Sequence, residues 1–235
     1  MIFQDPFSSL NPKLSVQTIL KEASDDLDGT AAQKKVIETF NKVGLSEKTL
    51  SNYPHQFSGG QRQRVTIAMA LACQPDVLIA DEPTTALDVT IQRQILDLIA
   101  DLVAERGMSM ILISHDLGVI GENVQRMMVM YGGTVVESGP TDAVFTRMGH
   151  PYTQGLFRAR PRLGARKGTR LKTIAGTVPE LADLPAGCAF ADRCPIAESR
   201  CREIFPPPIE VGAGHHVRCL RTDVSMAGTA EGVGA

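Results

Sequence analysis

Apolar and polar positions along the chain change period several times, and each change marks an element. From Ala32 to Val43, Val36, Ile37, Phe40 and Val43 recur at three- and four-residue spacing. This predicts a helix with one buried face, stopped by Gly44. A second helix is predicted from about Gln61 to Cys73, with Val65, Ala68, Met69 and Ala72 inward, and Gln74-Pro75-Asp76 breaks it. The helical period then vanishes. Val77-Leu78-Ile79-Ala80 is a continuous apolar run ending in Asp81-Glu82-Pro83, as expected of a strand buried on both faces of a parallel sheet. Asp88 stands where it can cap a third helix. Ile91, Ile95, Leu98, Ile99, Leu102 and Val103 follow helical spacing up to Gly107. Met110-Ile111-Leu112-Ile113-Ser114 repeats the buried-strand pattern and ends in His115-Asp116. Two more strands are predicted near Met127 to Tyr131 and Thr134 to Glu137, turned by Gly132-Gly133. Strand–helix–strand order implies parallel strands joined by a right-handed crossover. Asp81-Glu82 and His115 both follow strand ends, so both lie on one sheet edge, where α/β sheets bind ligands.

The ends of the chain lack such periodicity. Asp5-Pro6, Ser8-Ser9 and Asn11-Pro12 read as loop. After about Gly149, His150-Pro151-Tyr152 opens a short helix. Arg158 to Arg170 is a basic linker, and the remainder is rich in Pro and Cys. The expected organisation is a domain over 1–149, a small appended region over 150–222 held by a metal site, and a disordered tail over 223–235.

Composition narrows the function. The 235 residues are 43% hydrophobic and 21% charged, with a net charge of −2. This is an ordinary globular balance with no electrostatic case for nucleic acid as partner. No apolar run reaches the ~18 residues that cross a bilayer, and Met1 to Asp5 has no signal-peptide pattern. The expected compartment is the cytosol, with any membrane association through a partner. Of five cysteines, Cys73 reads as a small core residue. Cys188, Cys194, Cys201 and Cys219 crowd one end, and in a cytosolic chain such a cluster reads as a metal or iron–sulfur site rather than disulfides.

Four stretches carry chemistry. Phe57-Ser58-Gly59-Gly60-Gln61 leads into a helix. Its glycines let backbone N–H groups approach a phosphate, and the helix start adds positive potential; the plain alternative is a capped helix. Asp81 can hold Mg²⁺ through water, and Glu82 can orient or deprotonate an attacking water, the alternative being solvated acids at a strand end. His115 can contact a γ-phosphate and hold that water in line. Gln4, in Phe3-Gln4-Asp5-Pro6, reads alone as a polar loop residue.

Together these residues resemble the ABC transporter nucleotide-binding domain. Ser58-Gly59-Gly60-Gln61 looks like its signature motif and Asp81-Glu82 like the end of its Walker B motif. Ala86-Leu87-Asp88 looks like the D-loop, His115 like the switch histidine and Gln4 like the Q-loop glutamine. Phe3 to Pro12, His150-Pro151-Tyr152-Thr153 and the Cys-rich end resemble the oligopeptide and dipeptide importer subfamily. The resemblance implies an α/β fold: a partial RecA-like lobe, a helical subdomain near 13–73 and a small Cys-rich extension. It implies an ATPase that couples ATP hydrolysis to peptide uptake from the cytoplasmic face of the inner membrane; nickel and other small solutes use similar ATPases. Its cofactors would be ATP and Mg²⁺. Cys188, Cys194, Cys201 and Cys219 would hold a [4Fe–4S] cluster. Zinc also accepts four sulfurs, and His215 and His216 leave a mixed Cys/His zinc site open. The implied partners are a second ATPase subunit, transmembrane permease subunits and, indirectly, an extracytoplasmic solute-binding protein. Glu82 and His115 would be catalytic. Gln4 and Asp81 would serve nucleotide and metal, and Ser58, Gly59, Gly60, Gln61 and Asp88 would face the nucleotide across a head-to-tail dimer.

No G-x-x-x-x-G-K-[ST] sequence occurs in the chain. In the family that phosphate-binding loop precedes the Q-loop, so Met1 is expected to match an internal position of a longer subunit. The expectation is a chain with no ATP affinity at its own site that still closes Ser58 to Gln61 over a partner's ATP. Two rivals are a non-functional remnant and an ABC-type ATPase of DNA maintenance. The second would need a long insertion that the stretch from Gln4 to Ser58 is too short to hold.

Overall fold

A computed structural model of the chain describes residues 1–24, 29–160 and 173–227. They divide into two compact units, Met1–Asp116 and Leu117–Ala235.

The first unit is a helical layer against a small parallel sheet. Its helices are α1 (Pro6–Ser9), α2 (Val16–Glu22), α3 (Gly29–Lys42), α4 (Gly59–Ala72) and α5 (Val89–Arg106). Strand β1 (Val77–Asp81) pairs in parallel with β2 (Ser109–Ile113) in the register Val77 to Ser109 through Asp81 to Ile113. On the other side of β1, Ile2 makes a parallel bridge to Ala80; its N–H donates to the Ile79 carbonyl and its own carbonyl accepts from Asp81. The segment read as loop thus begins with a buried strand residue and a one-turn helix. Asp5 caps that helix by accepting from the Phe7 N–H, and Pro6 stands at the position where a missing N–H costs nothing.

The helices stop where local chemistry dictates. Ser58 and Gln61 form a reciprocal capping box at the start of α4. Asp88 caps α5, and Gly107, left-handed at φ +63°, ends it. Helix α4 is central: Val65, Ile67, Ala68 and Leu71 are buried around its circumference with Phe40, Leu78 and Ile95. Cys73 lies one residue past this helix, and there it is exposed. It is therefore not a core residue; its Sγ donates to the Ala23 carbonyl at the surface.

The strands of this sheet are buried on one face only, contrary to the pattern of their apolar runs. Leu78 and Ala80 enter the core, with Met110 and Leu112 packed against it, whereas Val77, Ile111 and Ile113 are exposed. The helices cover one side of a sheet of two strands and one bridge.

The second unit contains α6 (Leu117–Asn123), β3 (Arg126–Tyr131), β4 (Thr134–Pro140), α7 (Thr141–Thr146), α8 (Pro151–Ala159), α9 (Ser199–Glu203), β5 (Ile209–Gly212), β6 (His215–Val217) and α10 (Thr222–Ala227). Its four strands form an antiparallel sheet in the order β3-β4-β6-β5. The β5–β6 hairpin of the Cys-rich region is therefore an extension of the β3–β4 sheet, and the boundary expected at 149 falls inside this unit. The tail expected from Asp223 instead opens with α10. Ser225 is buried there, donating to the Gly149 carbonyl and accepting from Gln154 Nε2. Residues 228–235 and most of the expected basic linker, 161–172, lie outside the described residues.

Candidate functional site

The carboxyl ends of β1 and β2 bring Glu82 and His115 together. Glu82 follows β1 directly, and its N–H donates to the Ile113 carbonyl at the end of β2. Its backbone is left-handed, at φ +44°. A β-strand cannot turn so sharply at an ordinary residue without strain of order 1–3 kcal/mol.

Three side chains converge on the Glu82 carboxylate. His115 Nδ1 lies 3.0 Å from Oε1. Gln4 Nε2 donates to Oε2 at 2.8 Å, and Thr85 Oγ1 donates to the same oxygen at 2.9 Å. The His115 bond, followed by that of Thr85, holds the Glu82 carboxyl below the usual carboxylate range, against the opposing effect of burial. Glu82 is therefore ionised at neutral pH. With Oε2 taken by two donors and Oε1 by one, a free lone pair remains on Oε1, the position at which a water O–H can be accepted. Nδ1 of His115 faces the carboxylate, so the neutral imidazole carries its proton there and Nε2 is turned away. The His115 side chain is 76% exposed, against 22% for Glu82. The arrangement can orient a water at Oε1 and present an imidazole to a second group in solvent.

Thr85 was not singled out from sequence. Its signal was present: it lies three residues after Glu82, and its N–H closes the Glu82–Thr85 turn at 3.1 Å. Asp81 is half-buried at the end of β1. Among the described residues no hydrogen bond or ion pair engages its carboxylate, so it is free to ligate a hydrated divalent ion.

Ser58, Gly59, Gly60 and Gln61 form a separate group. A Cβ on Gly60 would stand 2.8 Å from Ile91 Cγ2, and one on Gly59 3.5 Å from Leu87. The turn thus packs directly on the start of α5, beside Asp88. Asp88 itself spends Oδ1 on the Ile91 N–H, 3.0 Å away. No hydrogen bond among the described residues joins this group to Glu82 or His115. Arg62 links it to the Gln4 segment instead: the guanidinium stacks on Phe7, 3.9 Å from the ring centre, while Nε donates to the Pro54 carbonyl.

In the second unit, Cys188, Cys194, Cys201 and Cys219 line one small cavity of about 20 Å³, with His150 and Phe190 in its wall. Burial raises the Cys188, Cys194 and Cys219 thiols, that of Cys219 to about 11, and each is raised further by its neighbours' sulfurs. Four sulfurs share one apolar cavity, and burial with neighbouring sulfurs keeps those of Cys188, Cys194 and Cys219 protonated, a balance that a bound cation would reverse. In chemistry the set fits a tetrathiolate group. As they stand, no group of three or more His, Cys, Asp or Glu side chains among the described residues is placed to hold a metal ion. His215 and His216 are not part of that wall. His215 instead points at Glu137, whose Oε1 lies 2.8 Å from Nε2. The same buried carboxylate accepts from the N–H groups of Gly149 and His150 at 2.7 and 2.9 Å.

Comparison with known proteins shows the family of the chain. Residues 1–85 match the family described as ABC transporter, and residues 136–201 match the oligopeptide/dipeptide transporter C-terminal region. A Brucella ovis protein named for peptide import and ATP binding is 50% identical over 231 residues, covering 94% of this chain and 68% of the relative. The dipeptide transport ATP-binding protein DppD of Bacillus subtilis is 46% identical over 228 residues, 95% of this chain and 68% of its own length. Among solved structures, cbiO1 of Clostridium perfringens, part of the cbiONQ ABC transporter complex, superposes with a TM-score of 0.55 at 30% identity, covering 61% of this chain and 57% of its own. The ATP-binding cassette MJ0796, in a dimeric post-hydrolysis state with ADP and Pi, superposes with a TM-score of 0.52 at 29% identity, covering 60% and 62%. The chain thus spans about two thirds of the curated relatives and somewhat less of the two cassettes.

Proposed function

The chain belongs to the ABC transporter ATP-binding family, in its oligopeptide/dipeptide branch, a family of ATPases, and from that premise we propose that it serves as the ATP-binding subunit of a peptide importer. The observation that carries the reading is the convergence of Gln4, Thr85 and His115 on one ionised carboxylate, Glu82, at a shared strand edge.

In this reading ATP is the substrate. Glu82 Oε1 accepts from the attacking water and orients it. A carboxyl held below its usual range is a weak proton acceptor, so orientation comes first and proton uptake follows as the water attacks. His115, tethered through Nδ1, presents Nε2 to the γ-phosphate. Gln4 reports on the same carboxylate from the Phe3–Phe7 segment, whose exposed phenylalanines face outward where a permease would dock. Asp81 holds Mg²⁺ through water. Gly59 and Gly60, backed by Asp88, offer their N–H groups to nucleotide bound by a second ATPase subunit, with the Ser58 hydroxyl beside them; the N–H groups of Ser58 and Gln61 stay in their mutual capping box and hold the turn in shape. That role accounts for their lack of any bond to Glu82. The complex sits at the cytoplasmic face of the membrane through permease subunits; no described helix is long and apolar enough to cross a bilayer.

In the chain joined to the glycine-rich phosphate loop that the family places ahead of Gln4, and assembled with its partner subunits, Glu82→Gln is expected to lower ATP turnover about 100-fold or more, the range a positioned acid–base group supplies, with ATP affinity nearly unchanged. Turnover at the wild-type rate would remove Glu82 from the chemistry.

Cys188, Cys194, Cys201 and Cys219 hold a tetrathiolate group that staples the Cys-rich region. A [4Fe–4S] cluster is one occupant, and a single zinc ion is the second. Iron and acid-labile sulfide, or zinc, at stoichiometric content in purified protein decides between them.

A further inference from the structure

His150 lies outside the proposed ATPase chemistry, yet it is one of the most completely buried polar residues of the second unit, at 1% exposure. It caps α8 with Nδ1, which accepts the Tyr152 N–H at 3.1 Å. An acceptor nitrogen carries no proton, so the neutral ring bears its hydrogen on Nε2. Among the described residues nothing accepts from that N–H. The ring lies in the wall of the four-cysteine cavity. It tilts against Phe190 with ring centres 5.9 Å apart, and Phe190 follows Cys188 by two residues in the same wall.

The position of the ring is fixed from both sides. Glu137 accepts from the backbone N–H groups of Gly149 and His150, and from His215 Nε2. His215 belongs to β6, the strand that leads into Cys219. One buried carboxylate therefore sets both the backbone that carries the imidazole and the strand that delivers one of the thiols.

We propose that His150 is a positioning residue for the tetrathiolate site, donating its Nε2–H to metal-bound sulfur in the cavity of Cys188, Cys194, Cys201 and Cys219. The inference rests on the reading of those cysteines as a ligand set. Thiolates on a metal carry negative charge that N–H donors stabilise, and such outer-shell bonds set ligand orientation, affinity and, in clusters, potential. No bond to the metal is formed or broken by His150, and its proton stays on Nε2.

A purely structural helix cap makes a different prediction, and Asn separates the two. Asn caps helices well but is too short to reach the cavity. The full chain, stripped of metal and kept anaerobic, is titrated with Co²⁺ alone, following the thiolate-to-cobalt charge-transfer absorption. The wild-type chain should show the band and Cys201→Ser should lose most of it. His150→Asn should retain its helical circular dichroism but bind Co²⁺ about 10-fold or more weakly, with the band displaced. A second measurement needs no variant. In the wild-type chain loaded with ¹¹³Cd²⁺, the His150 Nε2–H should show scalar coupling to cadmium through the N–H···S bond. A wild-type chain without the cobalt band overturns the tetrathiolate site and the donor with it. A normal wild-type band with an unaltered His150→Asn titration, or with no coupling from Nε2–H, overturns the donor alone.

Discussion

At the scale of single residues, Glu82 is held by its donors more than by its surroundings. Thr85→Ala removes one of the two donors to Oε2 and should cost about 1 kcal/mol in urea unfolding, with Thr85→Ser close to wild type. The Glu82 carboxyl is lowered in the folded chain, so its contribution to stability is present above its ordinary value of 4.5 and is lost as pH falls below it. Thr85→Ala should make that acid loss shallower. His150 acts in the same direction over a higher window. Burial pushes its imidazole from 6.5 down to about 4, whereas the unfolded chain takes up the proton near 6.5. The folded state therefore loses stability as pH falls from about 6.5 to about 4, on the order of 3 kcal/mol in all. In the metal-free chain, to which this pH dependence applies, the Cys188, Cys194 and Cys219 thiols that face it stay neutral throughout that window. His150→Asn should flatten the unfolding free energy between those values.

Among the elements, local chemistry was the most legible. The period of Val36 to Val43, the Gly107 stop and the Asp88 cap each depend on neighbours a few residues away, and the α-helices follow them. The strand ends carrying Glu82 and His115 were legible for the same reason. What sequence could not show is which face of a strand finds a neighbour. Val77, Ile111 and Ile113 are as apolar as Leu78, yet they are exposed, because burial depends on elements distant in the chain. Cys73 was misplaced by one residue of helix length. Ile2, alone in a polar stretch, gave no sign that it bridges Ala80. The Arg62 stack on Phe7 joins residues that no period connects. Close packing of the Gly60 turn on Ile91 is also a matter between elements. Gly60→Ala should cost about 1–3 kcal/mol by overpacking, and Ile91→Ala in the same chain should recover part of it. A double-mutant cycle by denaturant unfolding measures that recovery.

For the whole molecule, the Met1–Asp116 and Leu117–Ala235 units have separate sources of stability: a helix-covered parallel sheet in one, a polar knot at Glu137 in the other. Glu137→Leu leaves the Gly149 and His150 N–H groups and the His215 ring without their acceptor, all in the interior. The expected loss is about 3–5 kcal/mol, borne by the second unit. Hydrogen exchange should show faster opening of β4 and β6, with α4 and α5 unchanged. Sequence placed a boundary near 149 because composition shifts there. It could not reveal that the chain returns to an earlier strand after that shift, since composition says nothing of pairing between distant residues.

That return has a practical meaning for dissection. Glu137 and Ser138 are zipped to Val217 and His216, so a backbone severed between α8 and Cys188 should yield two pieces that co-elute as one particle. Limited digestion would then suggest a loosely hung appendage on a denaturing gel and an undivided body on a sizing column.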